Sequence, residues 1–163
     1  MKWKKFLICG KGGFFELIQP KPRRLTDYIN DGIVPFVASG AFNNGIEKYV
    51  ETNEVLEIGN CISVSAIGGF SFYQDKGFIG RGGAGSAIKL LYNDNLNEKN
   101  ALFICSVLQK TLSKYDYSTM ISGTKLEKEF IYLPTTKDNK PDWEYMEDFV
   151  DKTYKQLKKW VEI

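Results

Sequence analysis

The residues best equipped for chemistry in this chain are long cations, amides and phenols set in turn-forming segments. Lys21, Arg23 and Arg24 lie in "PKPRR", Asn43 and Asn44 in "FNNG", Tyr73 and Gln74 at the end of "GFSFYQ", Arg81 in "GRGGAG", and Lys125 just before "LEKEF". These side chains suit the edges and phosphates of nucleic acid. An arginine can donate two parallel hydrogen bonds to guanine, an asparagine or glutamine can pair with adenine, and lysine and tyrosine reach phosphate oxygens. Arg81 stands alone among Gly80, Gly82, Gly83 and Gly85, where a bare backbone lets a ligand approach closely. The same residue types also populate ordinary surface loops, so their types alone do not decide.

Other chemistries have less to stand on. The chain has no histidine, which removes a Ser-His-Asp triad, a His-Cys dyad and most catalytic zinc sites. Cys9, Cys61 and Cys105 form no CxxC pair and are expected to be reduced, buried apolar residues. Gly80, Gly82 and Gly85 satisfy GxGxxG, but "SAIKLLYNDN" alternates and reaches a turn where a dinucleotide site needs a helix, so a glycine-rich turn between strands is expected. "GKGG" at 10–13 lacks the spacing of a phosphate loop. No amino-methyltransferase motif occurs, and Glu127 and Glu129 read as one solvated face of a strand. Neither catalytic residues nor a metal or other cofactor is expected.

Net charge is only +2, yet it is unevenly placed. Residues 1–24 carry seven basic residues against Glu16, whereas residues 25–57 carry six acidic residues against Lys48. A near-neutral mean can therefore conceal a basic face. No window is long and apolar enough for a membrane span, and the run after "MKWKK" is too short for a signal peptide, so a cytoplasmic location is expected.

The elements that must position these loops are mostly strands. β-branched and aromatic runs at 14–19, 33–39, 46–51, 61–67, 69–74 and 87–92 are separated by Gly, Asn and Asp turns. Pro35 suggests an edge strand or a strand start. Leu102, Phe103, Val107, Leu108, Thr111 and Leu112 then recur at helical steps, predicting a helix over about 98–114 with Asn95 or Asn97 as N-cap. Residues 128–134 return to strand. Trp143, Met146, Phe149, Val150, Tyr154, Leu157, Trp160 and Val161 mark one face of a last helix running to Ile163. The fold class expected is α+β: a β-rich body with one internal amphipathic helix and a C-terminal helix. Domain bounds are set at 1–140 and 141–163.

Four stretches resemble the DNA specificity domain of type I restriction-modification systems: "KFLICGKGGFFELIQPK", "GIVPFVASGAFNNGIEKYV", "NCISVSAIGGFSFYQDKGFIGRGGAGSAIKL" and "LEKEFIYLPTTKDNKPDWEYMEDFV". The resemblance implies a target-recognition domain that binds double-stranded DNA while separate methyltransferase and restriction subunits supply catalysis. It also implies that the C-terminal helix acts as a spacer that pairs with a second recognition domain or a second copy. A complete specificity subunit of that family holds two recognition domains and two long helices. This chain holds one of each, as a half-subunit or a piece of a longer protein would. The alternative reading is a β-rich protein-interaction module that docks a partner through its last helix.

Overall fold

The computed structural model describes residues 1–85 and 87–161. Among the described residues nine strands and three α-helices follow the order β1 (Lys2–Leu7), β2 (Glu16–Ile18), β3 (Ile29–Val37), β4 (Ile46–Glu51), β5 (Cys61–Ser65), β6 (Ser71–Gln74), β7 (Ile79–Gly80), β8 (Ile88–Tyr92), α1 (Glu98–Leu112), α2 (Gly123–Leu126), β9 (Phe130–Thr135) and α3 (Trp143–Val161), with short 3-10 turns at Leu25–Asp27 and Asn43–Gly45. The α+β class expected from the sequence is the class observed. Residues 162–163, where the last helix was expected to end, lie outside the described residues.

The central sheet is antiparallel in the order β2-β8-β5-β6. Every residue of β5 is buried, because both faces of this sheet are covered. Ile62 and Val64 face a large core with Leu91, Ile104, Leu108 and Leu126, whereas Cys61 faces a smaller one with Val37, Phe78, Ile88 and Leu90. That second core is closed by a three-stranded sheet ordered β4-β3-β7. Its far face buries Phe36, Ala38, Val50 and Ile79 under Leu25, Tyr28 and Leu56. The period-two alternation of Phe36, Val37 and Ala38 thus serves two cores at once.

A third, two-stranded sheet pairs β1 with β9 antiparallel, from Lys2↔Thr135 to Leu7↔Phe130. It joins the start of the chain to its last third. The periodic residues of α1 bury Ala101, Phe103, Ile104, Cys105, Leu108 and Leu112 against the large core, and Asn97 caps the helix in a reciprocal capping box with Asn100. Glu147 of α3 accepts hydrogen bonds from the Asn97 and Asn100 amides at 2.6 and 3.1 Å, tying the two helices at that cap. Trp143 stacks on Phe14, and Met146 and Val150 enter the core. Beyond Asp151 every described side chain of α3 is exposed.

Two local expectations are corrected. Pro35 lies in β3, the middle strand of its sheet, paired with Tyr49. Proline is tolerated there because β7 joins β3 only from Phe36 onward, which leaves that side of β3 locally an edge at residue 35. Glu127 and Glu129 precede β9 and do not form a solvated strand face. Glu129 is half-buried and accepts from Lys114 Nζ at 2.9 Å and from Tyr115 OH. Burial works to raise its pKa, but those two donors win and hold it below the usual carboxylate range. The three cysteines are free and buried. Burial pushes the Cys9 thiol up to about 11 and those of Cys61 and Cys105 to about 12, so none is poised as a nucleophile.

Candidate nucleic-acid interface

The site begins with a pairing two residues long. β7 runs parallel to β3, with Phe36↔Ile79 and Val37↔Gly80 in register. Parallel strands deliver the chain to the same end of a sheet, so the segments that begin at Ala38 and Arg81 emerge side by side. Arg81 is fixed at both backbone groups: its N–H donates to Val37 O and its carbonyl accepts from Ile88 N, each at 2.9 Å. Ser39 Oγ then donates to Ala87 O at 3.0 Å and lies 2.7 Å from Ser65 Oγ, joining two loops to the end of β5. The expected glycine-rich turn between strands is what connects β7 to β8.

A further loop is pulled in by glycine. Gly82 N–H donates to Lys21 O at 3.0 Å, and a Cβ at Gly82 would lie 1.8 Å from Pro20 O. Only a residue without a side chain permits that approach. The result is a cleft of about 440 Å³ whose charged lining is Arg23, Arg24, Arg81 and the single acid Asp27. Lys21 and Arg24 are exposed beside it.

The three arginines play different parts. Arg23 is buried and donates to Glu54 at 3.1 Å, to Glu57 at 2.7 Å and to Gly80 O at 2.9 Å. Burial opposes its charge, but the hydrogen bonds from Arg23 to Glu57 and Glu54 outweigh that and keep the guanidinium protonated. It is therefore a strut under the cleft, holding β7 to residues 54–57. Arg24 and Arg81 have no ion pair among the described residues. Arg81 Nε is buried and is left without a hydrogen-bond partner there. A buried donor in that state costs about 1–3 kcal/mol.

Asn43, Asn44, Tyr73 and Gln74 form a second group. Asn44 Nδ2 donates to Tyr73 O and to Gln74 Oε1, both at 3.1 Å, and Gln74 Nε2 returns a bond to Asn44 O at 3.0 Å and another to Ser63 Oγ at 3.0 Å. Asn43 Nδ2 donates to Ile46 O at 3.2 Å, and Tyr73 OH donates to Asn60 Oδ1 at 3.0 Å. Gln74 is buried, so its amide is engaged in folding and is not presented to solvent. This group fastens the 42–45 turn onto β6. Lys125 stands apart from the cleft on α2, where its amine caps the carbonyls of Thr119 and Met120. Phe42, which the sequence reading passed over, is exposed at the tip of the turn that these amides hold. Its only signal was an aromatic residue inside a turn segment.

No three His, Cys, Asp or Glu side chains converge on a metal-sized site among the described residues, and no described helix is long and apolar enough to cross a membrane. The fold and cleft together define a β-rich recognition domain with a cationic loop cluster at one end and a helix projecting from the body. The chain belongs to the type I restriction modification DNA specificity domain family, whose sequence pattern matches residues 3–162. It is 28% identical over 121 residues to the Type II restriction enzyme BgcI specificity subunit S.BcgI of Heyndrickxia coagulans, an overlap covering 73% of this chain and 35% of that protein. The fold is also that of the S subunit of a Type-I restriction-modification system from M. genitalium (TM-score 0.60, 17% identity, 98% of this chain and 42% of that one). The HsdS subunit from Thermoanaerobacter tengcongensis is similar to the same degree (TM-score 0.60, 17% identity, 95% and 38%). The chain spans about two fifths of the length of these proteins or less.

The strut generates a stability prediction. Replacing Arg23 by alanine leaves Glu57 half-buried and unpaired, and is expected to lower stability at pH 7 by about 3 kcal/mol, read from urea unfolding. The Tyr28 hydroxyl and then Arg23 hold the Glu54 carboxyl below its ordinary range, so that contribution is present above the unfolded carboxylate pKa of about 4.3 and is lost as pH falls through the lower folded value. The gap between wild type and Arg23→Ala should accordingly narrow below about pH 4. A gap unchanged by acid would show that lost packing, not the ion pair, is responsible.

Proposed function

We propose that this chain is a non-catalytic domain that reads double-stranded DNA and selects the sequence on which a methyltransferase acts in a restriction-modification system. Family membership supports this reading, and one observation carries it: Arg24 and Arg81, without an ion pair among the described residues, line one cleft with Asp27 as its single acid. Arg81 and Arg24 are the base- or phosphate-contacting cations, with Lys21 adding a phosphate contact at the rim. Arg23, Asn43, Asn44, Tyr73 and Gln74 build the platform. Lys125 holds a loop away from the cleft. Catalysis is supplied by methyltransferase and restriction subunits in the cytoplasm, which agrees with the absence of histidine from the chain.

The helix α3 is the assembly element in this reading. Its first turns belong to the core, whereas Leu157 is 54% and Trp160 81% exposed. An apolar stripe of that kind is suited to a helical partner, supplied by a second recognition domain, a second copy or the methyltransferase.

Binding of duplex DNA, followed by fluorescence anisotropy against salt, tests the first part. Affinity should fall with a slope of about −0.9 per neutralised phosphate. On the selected sequence Arg81→Ala should cost about 1–3 kcal/mol and relax preference at one base pair. Equal weakening on every sequence would make Arg81 a phosphate contact, and salt-independent binding or none would count against DNA reading altogether.

The helix is tested separately. Leu157→Glu with Trp160→Glu should abolish self-association and methyltransferase binding in analytical ultracentrifugation while the urea unfolding midpoint stays within error of wild type. Unfolding of the whole domain by those substitutions would place the helix end in the core and refute the assembly role.

A further inference from the structure

We propose that Phe42 is a specificity-determining residue that contacts the C5-methyl group of a thymine in the major groove. This inference rests on the DNA-reading function proposed above. Its starting point is the contrast between the phenyl ring, 85% exposed, and the turn that carries it, which is pinned on every side. Asn43, Asn44 and Gly45 are three successive left-handed residues, with φ of 50°, 55° and 73°. For asparagine that conformation is unfavourable by itself and must be held by its surroundings.

Here it is held by hydrogen bonds. Gly45 N–H donates to Phe42 O at 2.9 Å, Ala38 N–H to Gly45 O at 2.9 Å, and the Asn44 amide is locked to β6 through Tyr73 O and Gln74 Oε1. A Cβ on Gly45 would sit 3.1 Å from Ala38 O, so the turn also packs tightly beneath. The ring is therefore presented from a fixed base, and little ordering entropy remains to be lost when it meets a surface.

Position and chemistry then choose the surface. The 38–45 loop leaves the same end of the sheet as Arg81, and Ser39 Oγ binds it to Ala87 O at the far end of the arginine loop. The asparagine Nδ2 groups, which by type could have read adenine, donate inward to main-chain carbonyls and to Gln74. What the turn leaves outward is an apolar ring, on a loop whose base lies against that of the arginine loop. Along the edges of a duplex the apolar feature that distinguishes one base pair from another is the thymine methyl, and it lies in the major groove. A protein partner is the less favoured occupant, because the larger exposed apolar stripe lies elsewhere, on α3 at Leu157, Trp160 and Val161.

The test uses the chain assembled with its methyltransferase to select duplexes from a random pool. The selected duplex is then remade with each thymine in turn replaced by uracil, which removes only the methyl group. One replacement should weaken wild-type binding about three- to fivefold, the worth of one methyl group withdrawn from water. Phe42→Ala should weaken binding to the thymine duplex by at least as much, and the same uracil replacement should then have no further effect. Because the ring is exposed, the variant should keep the wild-type unfolding midpoint. If wild type selects a motif but every uracil replacement weakens wild type and variant equally, the inference fails while DNA reading stands. It fails likewise if Phe42→Ala loses methyltransferase binding and keeps DNA affinity. A wild-type assembly that selects no motif overturns both.

Discussion

Everything at the cationic end of this molecule depends on the parallel contact between β3 and β7. The contact is two residues long, Phe36↔Ile79 and Val37↔Gly80, too short to hold by ladder bonds alone. It persists because both its faces are sealed. Val37 packs with Phe78, Ile88 and Leu90 on one side, and Phe36 and Ile79 bury together on the other. Arg23 then grips the Gly80 carbonyl while paired with Glu54 and Glu57. A buried arginine with two carboxylates adds little net stability over an apolar replacement, but it fixes geometry. Here it fixes where the chain leaves β7, and hence where Arg81 starts.

The body and the projecting helix divide the work. Three buried clusters and a third, two-stranded sheet brace the body, which lets its loops carry residues in unfavourable conformations such as Asn43 and Asn44. α3 is anchored to that body by Trp143, Met146, Val150 and the Asn97–Glu147–Asn100 junction, then continues into solvent. In the assembly role proposed above, a helix rooted in the core would carry the orientation of the loops to its partner, and helix length would set the spacing between them.

Local elements were legible in the sequence, whereas pairings were not. The period of Leu102 to Leu112 and the cap at Asn97 located α1, because both signals lie within one turn or two of the helix itself. β1 pairs with β9 across 133 residues at Lys2↔Thr135, and no local pattern reports such a partner. β7 is two residues long and has no period to read. Arg23 and Arg24 look alike in sequence, yet one is a buried strut and the other is exposed with no ion pair among the described residues, since the difference is made by Glu54 and Glu57 more than thirty residues away. Asn43, Asn44 and Gln74 were recognised as hydrogen-bonding residues, but the direction of their bonds depends on β6 lying against the 42–45 turn. For the same reason the exposure of Phe42 depends on long-range contacts and leaves no local sequence signal.

In the proposed function, the loops gathered by the β3–β7 contact form the DNA-facing surface. Amide chemical-shift mapping on titrating the domain with duplex DNA measures this most directly, residue by residue. The largest shifts are expected within 20–24, 38–45 and 80–85, with β1, β9 and the free end of α3 little changed. Shifts concentrated on α3 or on the β1–β9 sheet, with the arginine and Phe42 loops silent, would contradict it.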